Sequence, residues 1–476
     1  MTTATCRGFN KMSAEILTDI FKHALGNAVS ADPTRLAISL VCKSWHRVLY
    51  ENPSFWSKIS IIFGVEPVTT PDWSFLEQAL DLAHPHPIDI EIRFNKRIKH
   101  ESSDEEHNSI LNIITVLRMH IIHWRSLVLC LPEDLMYVVV GSRCLDSALS
   151  PGLQRVVLRG CHRFEDDHDS GMPITFSPQL RHLEVNFDLW NLAPHWGSLQ
   201  NLCIGFHDPL KAREILGQAE NLSTLVITHV GSMEHKTTVP SFVLNSVLDL
   251  SMSDCALVEL HGILHCPHLI TFRFLGIYEQ KHVDHMNTID PIQCTTDCFY
   301  LDPELTNHAI SIIEASKDRI STLDASQRVI DPKAFPLLLR LIHDDLRALA
   351  LQGGDFQNTN DQIFGSLMDI DIAPQLSSLE IERFRDVVVF CPLLEEIIVA
   401  RHRAGVLRRV RMNRLFEVDA ADYEANFGSL KFLDMCMQSS LAKTLLRLRR
   451  EGLNAEWTVG KHDILELARK RIIARF

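Results

Sequence analysis

One short pattern constrains the fold of this chain more than any other: Leu, two residues, Leu or Val, one residue, then Leu, Ile or Val. It appears as Trp124-Leu127-Leu129, Leu153-Val156-Leu158, Leu180-Leu183-Val185 and Leu199-Leu202-Ile204. It continues as Leu222-Leu225-Ile227, Val247-Leu250-Met252 and Leu269-Phe272-Phe274. After a gap come Ile320-Leu323-Ala325, Leu346-Leu349-Leu351, Leu376-Leu379-Ile381, Leu394-Ile397-Val399 and Leu430-Leu433-Met435. Most successive copies lie roughly 18 to 30 residues apart. Pro precedes several of them, as in SPGL, SPQL, CPHL, APQL and CPLL, where an irregular segment can end and a short strand begin. Alternation at the last two positions is that of a strand with one face buried.

A single strand with the helix or loop after it cannot bury its apolar edges alone. Stacking the copies produces a continuous core and a parallel sheet. The copies resemble degenerate leucine-rich repeats without an Asn ladder after the strand, which implies an irregular solenoid. Helices are expected between copies at residues 211–219, 305–315 and 335–343, and residues 276–298 break the period as an insertion. Residues 64–94 read as a helix and an alternating strand forming a capping first repeat, and residues 99–108 as a charged loop. At the far end, 438–450 (stopped by Gly452) and 462–476 read as helices that cap the last open edge.

Before the repeats, residues 12–62 read as a short amphipathic helix, a polar loop, a longer apolar helix and a Pro-anchored aromatic pair. Ile16, Leu17, Ile20, Phe21 and Ala24 share one face of the first helix, with Ser13 as its cap. Asp32-Pro33 starts the second, whose Ile38, Leu40, Val41, Cys42, Trp45, Val48 and Leu49 all ask for burial. A bundle of about 50 residues cannot bury that much by itself, so it should dock on another surface.

This segment resembles an F-box. The residues that carry the resemblance are Glu15-Ile16-Leu17, Ile20-Phe21, Val41-Cys42-Lys43, Trp45 and Pro53-Ser54-Phe55-Trp56. Met12-Ser13 stands where the family has Leu-Pro, and the loop at residues 27–32 is longer than in the tight form, as in fungal F-box-like proteins. The resemblance implies an α/β chain of three parts: an F-box-like helical domain at 1–63, a repeat solenoid at 64–437 and a helical cap at 438–476. It also implies a substrate-recognition subunit of a Skp–cullin–F-box ubiquitin ligase. Ile16, Leu17, Ile20, Val41 and Trp45 would enter the groove of the Skp adaptor, and the repeats would hold a protein target. Two other readings remain: a repeat scaffold outside any ligase, whose helical segment only caps the array, and a metal-dependent hydrolase built on His-rich loops.

The chain has 476 residues, 46% hydrophobic and 22% charged, which fits a folded protein of two or three domains or a repeat array. No apolar run approaches the roughly 18 residues of a membrane span, and the first residues show no secretory leader, so a cytoplasmic or nuclear protein is expected. Twelve irregularly spaced Cys read as reduced thiols. A net charge of −13 argues against nucleic-acid binding. From Arg401 onward, 16 Lys and Arg face 9 Asp and Glu, leaving −20 on the first 400 residues. The basic run Arg401, Arg403, Arg408, Arg409, Arg411 and Arg414 reads either as a nuclear-import or acidic-partner patch or as a solvated face.

No nucleotide-binding loop, zinc-protease motif or nucleophile elbow occurs. Of the 24 His, the sharpest metal candidate is His282 and His285 with Cys294 and Cys298. The groups His261-His265-Cys266-His268 and Asp166-Asp167-His168-Asp169 read as turn residues, and Cys161-His162 suggests a nucleophile pair, but neighbours in sequence rarely have catalytic geometry. The expectation is therefore no catalytic residue, no cofactor and no metal. The position after each buried repeat Leu should face outward and meet the target: Glu184, Cys203, Val226, Ser251, Arg273, Ala350 and Glu380. Glu184, Arg273 and Glu380 are the charged candidates among them.

Overall fold

Most copies of the repeat become parallel strands. The computed structural model describes residues 12–25, 32–63, 73–94, 104–131, 136, 145, 147–159, 174–185, 192–206, 209–232, 239–275, 300–301, 303–316, 318–327, 329–352, 357–382, 392–414, 436–459 and 462–473. The chain divides into two compact units, Met1–Gly205 and Phe206–Phe476. Each is mixed α/β and built on parallel strands.

The first unit opens with helices α1 (Ala14–Leu25), α2 (Asp32–Val41) and α3 (Lys43–Tyr50). Strands β1 (Lys58–Phe63), β2 (Ile88–Phe94), β3 (Trp124–Cys130), β4 (Arg155–Arg159), β5 (His182–Val185) and β6 (Asn201–Phe206) then pair in chain order, all parallel. Helix α4 (Trp73–Ala83) follows β1 and α5 (Asp104–Arg118) follows β2. The stretch expected as a loop at 99–108 thus enters a helix at Asp104. Ile110, Ile113, Ile114 and Leu117 are buried at helical spacing, and their burial favours a long helix over a charged loop. The single apolar helix expected from residue 32 is also divided. Cys42 is extended (φ −165°, ψ 166°) and separates α2 from α3.

The second unit pairs β7 (Thr224–Val230), β8 (Asp249–Met252), β9 (Thr271–Phe274), β10 (Thr322–Ala325), β11 (Ala348–Gln352), β12 (Ser378–Glu382), β13 (Arg409–Arg414) and β14 (Asn454–Val459), again parallel and in order. A short β15 (His462–Asp463) runs antiparallel to β14. α6 (Pro209–Leu216) precedes β7, and between the strands lie α7 (Asp254–Leu260), α8 (Pro303–Ile313), α9 (Phe335–Leu341), α10 (Gln357–Met368) and α11 (Pro392–Arg403). Helices α12 (Ser440–Arg450) and α13 (Ile464–Ile473) flank β14. Gly452, at φ +103°, takes the left-handed turn after α12 that other residues resist.

Leu183, Leu202, Leu225, Leu349 and Leu379 are all buried. A second device fixes the strands. Before several of them, a backbone carbonyl accepts two successive N–H groups from the next repeat: Ser223 O from Leu248 and Asp249, Leu248 O from Ile270 and Thr271, Ser321 O from Arg347 and Ala348, Arg347 O from Ser377 and Ser378. These paired bonds satisfy turn amides that would otherwise be unpaired, and they hold the register.

Two repeat assignments differ from the sequence reading. Leu394-Ile397-Val399 lies in α11, where Leu394, Ile397, Ile398 and Arg401 form one buried helical face. Three apolar positions fit either period, so the strand reading failed there. The strand is β13, led by Leu407-Val410-Met412, which carries the same spacing. β14 was not foreseen; its Ala455, Trp457 and Val459 alternate inward but lack the leading Leu spacing. The 430–435 copy lies outside the described residues.

Arg401 is 1% exposed. Its Nε and Nη2 donate to Leu367 O at 3.1 and 3.0 Å, and its Nη1 to Ala373 O at 2.8 Å. Nη2 also reaches Asp369 O at 3.0 Å and Ile372 O at 2.6 Å. One side chain of α11 thereby binds a carbonyl in the last turn of α10 and three in the turn that follows it. Burial draws its pKa down, and Asp369 acts in the opposite sense.

Candidate functional site

The helical segment has an inner and an outer face. Inside, Phe21 of α1 packs edge-on against Trp45 of α3 (centroids 5.0 Å apart) and against Phe55 (5.9 Å). Arg35 of α2, 5% exposed, donates to Phe55 O and Lys58 O, both at 3.0 Å, with its guanidinium 5.3 Å from the Trp56 ring centre. Trp56 Nε1 donates to Leu49 O at 2.9 Å. These bonds tie α2, α3 and the start of β1 into one packed group.

Outside, apolar side chains face solvent. Ile16 and Ile20 of α1 are 53% and 39% exposed; Leu36, Leu40 and Val41 of α2 are 61%, 75% and 52% exposed. Ile16 and Ile20, like Leu36 and Leu40, are four residues apart and share a helix face. α1 and α2 are in contact, so the five exposed apolar residues lie on two neighbouring helices, whereas exposed apolar residues more commonly occur singly. Of the five expected adaptor contacts, Ile16, Ile20 and Val41 are among these exposed residues. Leu17 is not: it is 1% exposed and belongs to the bundle core. Trp45 is half-buried, its ring spent on Phe21. Leu36 and Leu40 were not singled out as contacts, although their four-residue spacing was a signal available in the sequence.

Charged side chains on the outward row of the strands are largely paired with one another. In the first unit Arg159 lies 2.6 Å from Glu184 and His182 lies 3.9 Å away. In the second, Arg273 lies between Asp249 (3.0 Å) and Asp324 (3.7 Å), and Arg411 between Glu380 (3.1 Å) and Glu456 (3.5 Å). Glu184, Cys203, Val226, Arg273, Ala350 and Glu380 are half-buried, whereas Ser251 is buried and offers no contact. The basic run is not one free patch: Arg401 is buried, and Arg409 and Arg411 pair with Glu456. Charges along this face therefore largely neutralise one another, and its long-range field is weaker than the net charge suggests.

Burial alone would raise the Glu184 carboxyl; His182 and Arg159 beside it outweigh that and hold it at about 2. The folded state thus binds this proton less readily than the unfolded chain. Its stabilising effect is complete above the unfolded glutamate value of about 4.3 and is lost as pH falls toward the folded value. In urea titrations at pH 6 and pH 3, the stability gap between the native chain and Glu184→Gln should shrink at the lower pH. An equal gap at both would contradict the assignment.

His282, His285, Cys294, Cys298, the Asp166–Asp169 group and Cys161-His162 lie outside the described residues. His261 stacks on His308 at 3.8 Å, and its Nδ1 contacts Val258 O at 2.5 Å. Among the described residues no group of three or more His, Cys, Asp and Glu is placed to hold a metal ion. No helix among them is long and apolar enough to cross a membrane. No family model matches the chain, and no curated protein matches it significantly.

Proposed function

We propose that this chain is a substrate-recognition subunit of a Skp–cullin–F-box type ubiquitin ligase, in which an F-box-like helical segment docks the Skp adaptor and leucine-rich-repeat-like strands hold a protein target. The supporting observation is the exposed apolar face of α1 and α2, carried by Ile16, Ile20, Leu36, Leu40 and Val41. The inner face of the same segment packs on the start of β1 through Arg35 and Trp56. A helix pair that only capped the repeats would turn its apolar side inward. The reaction chemistry belongs to other subunits; this chain raises the local concentration of target near them.

Full-length chain and purified Skp-family adaptor test the reading by calorimetry. Ile20→Lys combined with Leu40→Lys places two charges on the exposed face without touching the core. Loss of an interface centre commonly costs about 2 kcal/mol or more, roughly 30-fold in affinity. Tight binding by the native chain and at least that loss in the variant are expected. No adaptor binding by the native chain would favour the scaffold reading, and unchanged binding by the variant would place the contact elsewhere.

A further inference from the structure

A thiol and an imidazole from separate repeats meet at the ends of two adjacent strands. His229 sits near the C-terminal end of β7, and Cys255 follows the end of β8 in the first turn of α7. Ser253 N donates to Ile227 O at 3.1 Å, which fastens the second turn to the first strand. Cys255 Sγ then lies 3.2 Å from His229 Nδ1 and 3.1 Å from Ser253 Oγ. Cys255 and His229 are both half-buried, so the sulfur is sheltered but not sealed. A thiol with a base in hydrogen-bond reach, and hydrogen-bond donors for the thiolate, is the arrangement of an activated nucleophile.

We propose that Cys255 is a nucleophilic thiol, with His229 as its base, that reacts with hydroperoxides. Burial alone would raise its pKa, but hydrogen bonds from His229, Ser253 and the Val230 backbone outweigh that and bring it down to about 7. Cys266, buried without such partners, is pushed up to about 12. His229 takes the thiol proton, and the thiolate attacks the terminal oxygen of the hydroperoxide. An S–O bond forms as the O–O bond breaks; sulfur loses two electrons and the peroxide gains them. The departing alkoxide takes the proton held on His229, leaving a cysteine sulfenic acid and an alcohol, or water when hydrogen peroxide is the oxidant. The site is independent of the ligase reading.

The test uses the full-length chain. Iodoacetamide labelling, resolved by peptide mass spectrometry across pH, reads thiolate character. Substoichiometric hydrogen peroxide followed by dimedone reads sulfenic acid. Cys255 should alkylate with an inflection near pH 7, and dimedone should mark it at least about tenfold ahead of Cys42, Cys130, Cys203, Cys266 and Cys436. His229→Gln should move the inflection up by about one unit or more and slow alkylation at pH 7 about tenfold. Alkylation at pH 7 no faster than in the urea-unfolded chain would overturn the activation. Fast alkylation without a dimedone adduct at Cys255 would overturn the hydroperoxide assignment, and an unmoved inflection in a folded His229→Gln would overturn the base. Should that variant misfold by circular dichroism, the two measurements on the native chain decide the first two points, and His229→Asn decides the base.

Discussion

Arg401→Met should destabilise the second unit by about 3–5 kcal/mol. The side chain of Met fills much of the same volume, so the effect isolates hydrogen bonding from packing. It leaves the carbonyls of Leu367 and Ile372 without the guanidinium donors that now reach them, while those of Asp369 and Ala373 keep the backbone N–H groups of Ile372 and Leu376. Each buried acceptor left unmet costs about 1–3 kcal/mol, and relaxation toward water returns part of the sum. Arg401→Lys, with one ammonium in place of a planar fork, should fall between the two. Hydrogen exchange in α10 and α11 and urea unfolding of the full chain are the measurements. A loss below about 1 kcal/mol for Met would mean that the end of α10 opens to water at little cost.

The second large effect is expected at Trp56. It is 2% exposed, donates to Leu49 O, contacts the Tyr50 ring at 5.2 Å and lies under the Arg35 guanidinium. Trp56→Ala removes all of these, and large aromatic truncations in cores cost about 3–5 kcal/mol. Because Arg35 bonds the same stretch of chain, its buried charge would lose a partner as well. The helical segment should then loosen from β1, so adaptor capture should fall even though Trp56 is not on the exposed face. Trp56→Phe, which keeps a ring, should lose less of both. Full adaptor binding by a Trp56→Ala chain with normal circular dichroism would show that the segment folds without this anchor.

The strands were largely legible because their signal is local: one buried position, one outward, one buried. The same brevity explains the failure at Leu394-Ile397-Val399, where three apolar residues satisfy a helix as well as a strand. The helix at Asp104 was hidden by charge in 99–108, although Ile110, Ile113, Ile114 and Leu117 announced it a turn later. The apolar face of α1 was legible as a stripe, but not which members turn inward; Leu17 and Ile16 are neighbours in sequence and opposite in burial. Arg401 looked like one more surface base, and nothing local marks a guanidinium that will meet carbonyls about 30 residues away. His229 and Cys255 were invisible for a similar reason: only the stacking of successive strands brings them together.

The break in the repeat between β9 and β10 carries a consequence for how the sequence can change. Phe272 and Leu323 are register partners across it, and Ile270 O accepts from both Ser321 and Thr322, at 2.9 and 3.1 Å, as the equivalent carbonyl does in shorter repeats. A connection about twice as long as its neighbours therefore closes on the same latch. Loop-closure entropy grows only with the logarithm of length, about 0.6 kcal/mol for each doubling. Lineages of this chain could lengthen that connection, or trade it for a whole inserted module, at little thermodynamic penalty. One residue added inside either strand would instead invert the facing of every side chain after it, so drift in length is tolerated between the strands and forbidden within them.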